Sequence, residues 1–267
     1  ARLVAGSDGL QTSGEEAVTV HHYANVLFNI MRGGTFIDHG LITKTDFLKS
    51  VQTFNRALRP QAEQALQDLP AQFKRSALMD GIKDARSPQL QRLAQEYLPI
   101  SFGRRHGDPS RPWNHFEIKL KDNEGQRLLA YEGNWRDIFQ NWEALSLSYP
   151  DFIPSMISKF VNASTIDGYN PYRVTQDGID WEVEDLEDPW SYIGYWGDHQ
   201  IIYLLKFLEL SEAFYPDLLT ELMTQPLFSY ANVPYRLKPF DAMVKDPKNT
   251  VLYDEALAKQ IERRVSE

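Results

Sequence analysis

The chain contains no cysteine. That excludes disulfides, thiolate metal sites and cysteine nucleophiles, but it suits any compartment. Localisation therefore stays open, with the cytoplasm slightly favoured. Nowhere does the sequence approach the ~20 consecutive apolar residues that cross a bilayer, so no membrane partner is expected. It has no basic run, and its formal charge is −9, which argues against a nucleic-acid backbone as partner. A glycine-rich phosphate loop is missing, as is the helix–strand alternation of a parallel sheet, so a nucleotide enzyme is not expected. His21 and His22 are adjacent and point in different directions, which is poor geometry for a shared metal. No metal site and no cofactor are expected; the acidic run 182–188 reads as a solvated edge, with a calcium ion held by it as the minor alternative. The N-terminus lacks both Met and a signal pattern, so a processed chain or a piece of a longer one is expected.

Aromatic residues are placed unevenly. All six tryptophans lie between Trp113 and Trp196, in a stretch also rich in glycine and proline. Tryptophan beside Asp, Asn and Arg is the usual make-up of a sugar site, where a ring covers the C–H face and polar groups take the hydroxyls. The plainer alternative is that these rings anchor long loops to the core.

With 267 residues the chain can bury a large core. Residues 1–100 read as a helical, charged region with no catalytic arrangement. A helix is expected over 15–31. Thr43 or Thr45 caps the next one, with Phe47, Val51 and Phe54 on its core side. Pro60 opens a further helix and Pro70 breaks it. Short helices continue to about residue 98, punctuated by Asp80-Gly81 and Ser87-Pro88. Composition changes at Ser101. The segment 101–116 holds three arginines, His106, Asp108 and two prolines. It reads either as a polar loop over a site or as an ordered surface turn. A β-hairpin is expected near 115–131, turning at 122–125.

The central stretch is 131–145, YEGNWRDIFQNWEAL. Asn134 is an N-cap candidate, and Asp137 falls in the first turn, where the helix dipole favours a carboxylate. Ile138, Trp142, Leu145 and Tyr149 form an apolar face. Asp137, Gln140, Asn141 and Ala144 form a second, polar stripe. The spacing serves equally for a ligand face and for a wet surface. An amphipathic helix comes next, at 154–163. The segment 164–192 lacks periodicity and is dense in Asp, Glu, Trp and Tyr, as functional long loops are. Asp198 and His199 head an apolar helix, about 199–214, expected deep in the core. The segment 226–247, with four prolines, reads as an extended cover, and 251–265 as a last helix.

The segment Trp135-Arg136-Asp137-Ile138-Phe139-Gln140-Asn141 has the form aromatic-Arg-Asp-x-x-Gln-Asp/Asn. With the elements after it, it resembles the catalytic domain of six-hairpin, (α/α)6-toroid carbohydrate enzymes, nearest to the cellobiose and chitobiose phosphorylase family. The likeness covers 134–215, roughly a third of the chain. It implies a mainly α fold, part or all of an (α/α) toroid of helical hairpins. Residues 101–267 would form the toroid segment with long aromatic loops, continuous with the helical region 1–100 and excised from a larger enzyme. It also implies that Arg136, Asp137 and Gln140 line a sugar subsite, with Asp198 beside them. The family's Gly-Asp-Trp-Asn-Asp acid motif does not occur here. A full toroid would also need roughly 400 residues at usual helix and loop lengths.

The expected activity is hydrolysis or phosphorolysis of an oligosaccharide by an inverting, acid-assisted mechanism. The partners are carbohydrate and, for phosphorolysis, inorganic phosphate. The candidate carboxyls are Glu132, Asp137, Glu143, Asp180, Glu182 and Asp198, with Asp137, Glu182 and Asp180 placed in catalysis. A proton donor needs a raised pKa, and the tryptophan-flanked Glu182 and Asp180 fit that best. Trp135, Arg136, Gln140, Asn141, Tyr169, Trp181, Trp190, Asp198 and His199 are the substrate-binding candidates. Arg105, His106 and Arg173 are the anion holders. The alternatives are a non-catalytic carbohydrate-binding module and a purely structural helical part of a larger protein.

Overall fold

A computed structural model describes Val20, Ala24 and residues 35–101, 121–126, 128–181, 201–247 and 249–266. The fold is mainly α, with a few short antiparallel strand pairs.

The segment 35–101 starts and ends at one place. Strand β1 (Thr35–Phe36) pairs antiparallel with β4 (Ile100–Ser101), Phe36 opposite Ile100, and the Ile37 amide donates to the Pro99 carbonyl at 3.0 Å. Between them lie helices α1 (Lys44–Asn55), α2 (Arg59–Ala65), α3 (Arg75–Lys83) and α4 (Pro88–Glu96). A second strand pair, β2 (Ile42–Thr43) with β3 (Gln72–Phe73), ties the start of α1 to the turn before α3. Local chemistry explains several boundaries. Prolines occupy the first turns of α2 and α4, whereas Thr43 sits at the N-cap position of α1 without a side-chain capping bond. The Ser87 hydroxyl accepts from the Leu90 amide, capping α4.

Two expectations fail in this segment. Asp80-Gly81 is not a break but lies inside α3. A Cβ on Gly81 would stand 3.3 Å from the Ala65 carbonyl oxygen, so the glycine lets α3 pack close against the end of α2. Phe54 is exposed rather than in the core, while Phe47 and Val51 are buried as expected.

Strand β5 (Glu132–Asn134) leads directly into α5 (Trp135–Ser146), and α6 (Ile153–Ala163) comes after it. The expected apolar face of α5 is buried, including Ile138, Trp142, Leu145 and Tyr149. Helix α6 is the most enclosed element. It packs against α4, α5 and α7 (Ile201–Phe214), and even Ser155, Ser158 and Lys159 are buried. One continuous core joins residues of α1–α4 to those of α5–α7.

Helix α7 departs from the reading of a deep-core helix. Phe207 and Ser211 are buried, but Ile201, Ile202 and Leu205 are exposed. A helix apolar all round carries no periodicity to say which side faces inward. The central position belongs to α6, and α7 packs on it from outside.

The 164–192 stretch is not all loop. Strands β6 (Arg173–Thr175) and β7 (Gly178–Asp180) form a hairpin that adds to β5 in the order β5-β6-β7, with Asn134 opposite Arg173 and Arg173 opposite Asp180. The two-residue turn Gln176-Asp177 joins β6 and β7, with Thr175 opposite Gly178. The expected 115–131 hairpin falls mostly outside the described residues. Its turn is present, with Gly125 donating to the Asp122 carbonyl at 3.0 Å and Asp122 to the Gln126 carbonyl at 2.9 Å.

After α8 (Leu218–Met223), the 226–247 cover contains β8 (Tyr235–Leu237) and α9 (Phe240–Lys245). Strand β8 pairs with β9 (Val251–Tyr253), so the last helix does not begin at 251 as expected: Val251-Leu252-Tyr253, with a β-branched and an aromatic residue, extend to pair, and α10 (Glu255–Ser266) follows.

Candidate functional site

Helix α5 separates its two faces cleanly. Inward, Trp135 lies 4.6 Å from the Phe139 ring and 5.0 Å from that of Phe160, and Phe139 contacts Trp142 edge-on at 5.0 Å. Trp135 is only 1 % exposed, so this candidate sugar platform is a core ring. Outward, Arg136, Asp137, Asn141, Glu143 and Ala144 are half-exposed, and Gln140 is exposed.

Asp137 stands in the first turn of α5. Its Oδ2 lies 3.4 Å from the Asn134 Nδ2, which donates to it, and its Oδ1 lies 3.6 Å from the Arg136 Nε. These are long contacts on a half-open surface, where an ion pair contributes little to stability.

Helix α7 faces this surface with two side chains that no sequence pattern singled out. Lys206 Nζ donates to Glu143 Oε1 at 2.8 Å, a bond that raises the Lys206 pKa. Burial raises the Tyr203 pKa; Arg136 pulls it down, while Glu143 and Asp137 push it up. The Tyr203 hydroxyl therefore feels both charges of the Arg136–Asp137 pair. The signal for Lys206 was a single cation in the apolar run 201–208.

A second polar group lies on β5–β6–β7. The Arg173 guanidinium donates from Nη1 to Glu132 Oε1 at 2.6 Å and from Nε to Asp180 Oδ2 at 2.7 Å, with Nη2 also on Asp180. The expected anion holder is thus occupied by two carboxylates of its own chain, and a phosphate would have to displace them. Asn134, opposite Arg173 in the sheet and in contact with Asp137, links the two groups.

The Trp181 ring lies against Tyr169 at 5.6 Å and stacks on Tyr235 at 6.1 Å, and Tyr235 meets Tyr253 edge-on at 5.5 Å. Trp181 and Tyr169 therefore fasten the end of the β6–β7 hairpin to β8 and β9. The structure brings Arg136, Asp137, Gln140 and Asn141 onto one surface and puts Trp181, Tyr169 and Trp135 into packing. Glu182, Trp190, Asp198, His199, Arg105 and His106 lie outside the described residues. Among the described residues no cluster of three or more His, Asp or Glu is able to hold a metal ion. No described helix is long and apolar enough to cross a membrane.

Residues 36–99 match the family model described as glycoside hydrolase family 149 insertion domain 1. This segment is a glycosidase-related domain. The match covers about a quarter of the chain and falls on the region that shows no catalytic arrangement. It does not reach 134–215, where the likeness to toroid enzymes lies. Its limits coincide with the β1–β4 pair, which holds the two ends of the matched domain side by side. A segment with adjacent ends can be inserted into another fold without disturbing it. No curated protein matches the chain.

Proposed function

We propose that this chain is part of a larger carbohydrate-active enzyme, a glycoside hydrolase or phosphorylase, and that the outward face of α5 together with Tyr203 and Lys206 contacts its oligosaccharide. The observation that carries the reading is the glycoside hydrolase family match at 36–99, in a domain that shares one core with α5 and α6. In this reading Asp137 accepts hydrogen bonds from sugar hydroxyls. Arg136, Gln140 and Asn141 donate to them, and the Tyr203 ring covers an apolar patch. Asp180 suits the proton donor poorly, since its carboxylate accepts two bonds from Arg173 and an acid must present its O–H to the leaving group. The inverting acid is then Glu182 or a carboxyl of the parent chain. Phosphorolysis would need inorganic phosphate, for which Arg136 and Lys206 are the cations at hand.

A second reading has its own support. Trp135, Trp181 and Tyr169 are used in packing, and the matched model is described as an insertion domain. Both features suit a structural or non-catalytic carbohydrate-binding part of the parent.

The two readings separate in one titration. Tryptophan fluorescence is followed as glucosides and N-acetylglucosaminides are added to the chain and to Asp137→Ala, with and without phosphate. Saturable quenching that is lost in a folded Asp137→Ala chain supports the α5 face. Quenching that survives in the variant sinks the α5 face and favours a carbohydrate-binding part that uses another surface, and no quenching by any sugar leaves a structural part.

A further inference from the structure

The hairpin made by β8 and β9 leaves one edge uncovered. Its register sets Arg236 opposite Leu252. The flanking bonds run from the Lys238 amide to the Thr250 carbonyl and from the Asp254 amide to the Pro234 carbonyl, both at 2.8 Å. In an antiparallel ladder such bonded pairs alternate with pairs whose N–H and C=O point away from the partner strand. The backbone groups of Val251 and Tyr253 therefore point out of the hairpin, on the side away from β8. Among the described residues no backbone group meets them there. The outer side of β8 is engaged, since the Leu237 amide donates to Asp167 Oδ2 at 3.4 Å.

Edge strands usually carry a lysine, a proline or a bulge that blocks further pairing. Val251-Leu252-Tyr253 has neither lysine nor proline, and Leu252 and Tyr253 are 50 % and 56 % exposed. The strand is also complementary to itself. Two copies set antiparallel about Leu252 place Val251 opposite Tyr253 on both sides of the centre. Both residues point outward, so each such pair exchanges two hydrogen bonds. The neighbouring two-fold registers do worse. One centred on Val251 calls on the Asn249 amide, which already donates to the Asp246 carbonyl at 3.0 Å. One centred on Tyr253 calls on Glu255, the first residue of α10. Side chains agree with the Leu252 register. On one face Tyr235, Tyr253 and the second copy's Val251 and Leu237 fall in one apolar row, which extends the Trp181–Tyr235–Tyr253 stack outward. On the other face the two Leu252 side chains meet. There each Lys238 shares a cross-strand row with Thr250 and the second copy's Asp254, about 10 Å away between Cα atoms, so opposite charges flank the leucines.

We propose that the β9 edge is an interaction surface for a second copy of this chain, in which the two β9 strands pair antiparallel about Leu252 and join the two hairpins into one sheet. The contact uses the same patch on both copies, so it closes at a dimer. It is independent of the α5 face.

Sedimentation velocity of the chain, from low micromolar to near-millimolar concentration, should show a monomer–dimer equilibrium. Val251→Pro removes an outward N–H and leaves the bonds between β8 and β9, which fall on Thr250, Leu252 and Asp254. It deletes half of the hydrogen bonds between the copies and should weaken the dimer roughly 10–100-fold. Leu252→Lys sets two cations against each other at the centre and should leave a monomer. An equimolar mixture of Leu252→Lys and Leu252→Glu chains should recover the dimer. A merely damaged hairpin would not give that result, so the mixture decides the matter if Val251→Pro does not fold. A chain that stays monomeric at every concentration overturns the proposal. So does a dimer that Val251→Pro and Leu252→Lys both retain, which would move the contact to another apolar surface such as Ile201 and Leu205 on α7. A mixture that stays monomeric overturns the Leu252 register.

Discussion

Replacing Lys159 by methionine probes the seam between the matched domain and the rest of the fold. Methionine keeps most of the volume and removes the charge. The change deletes a charge-assisted hydrogen bond to the Tyr131 hydroxyl, worth about 1.5–3 kcal/mol. It also deletes the cation's contact with the Phe54 ring at 5.5 Å, worth about 0.5–1 kcal/mol. Relief of the cost of burying the ammonium opposes this, since apolar replacements of buried charges are often neutral. The Tyr131 hydroxyl stays behind without its cation, and Glu96 keeps only Arg92 at 3.7 Å and the Asn162 amide, which tips the balance. A net loss of about 2 kcal/mol is expected, and with it a fall in melting temperature of roughly 4–8 °C for a chain of this size. Urea unfolding followed by circular dichroism reads it as a lower midpoint at unchanged slope. A double-mutant cycle with Tyr131→Phe should show a coupling of about 1 kcal/mol or more. A Lys159→Met chain as stable as the original would refute the assignment of Lys159 as a charged anchor.

Alkaline pH should act through the same cluster. Lys159 titrates above its ordinary 10.5 in the folded chain, so its contribution is whole below 10.5 and is lost as pH rises through the folded value. Tyr97 and Tyr131 titrate above their ordinary 10.0, so above 10.0 the unfolded chain releases protons that the folded chain keeps, and stability falls again. All three have one sign, and urea midpoints should drop from about pH 10 upward, less steeply in Lys159→Met. Arg173→Gln leaves Glu132 and Asp180 without their cation. Because the Arg173 side chain is 30 % exposed, the expected loss is only about 1 kcal/mol, and it should shrink in high salt. An unfolding midpoint unmoved at low salt would contradict it. Gly81→Ala should be near neutral, since better helix propensity offsets the 3.3 Å approach to the Ala65 carbonyl. Gly81→Val should cost about 1–3 kcal/mol by overpacking, and thermal unfolding of the pair checks the order.

Much of the local structure was legible because it rests on near neighbours. Pro60, Ser87 and Pro88 mark helix starts by chemistry within one turn, and the Ile138–Trp142–Leu145 face arises from helical spacing alone. The polar stripe of Asp137, Gln140 and Asn141 was also readable, and it lies on the surface. The limits appear where a pattern is uniform. The 201–208 run is apolar throughout, so it could not say that Ile201 and Leu205 face outward or that Tyr203 and Lys206 turn toward α5. A tryptophan beside acidic residues looks the same in sequence whether its ring meets a sugar or, like Trp181, a tyrosine of β8.

The sequence by itself determined a mainly helical chain with no cysteine chemistry, several of its helix starts, and which face of α5 is polar. Those properties depend on composition and on contacts a few residues apart. Only the tertiary structure decided that α6 rather than α7 is the buried centre. It alone showed that Arg173 belongs to Glu132 and Asp180, and that Lys159, Tyr131 and Tyr97 converge on one cleft. Each of these joins residues far apart in the chain, through packing that no local period encodes. The physical reason is competition. Several segments are apolar enough to occupy the core and several charges could pair, and only the assembled fold selects among them.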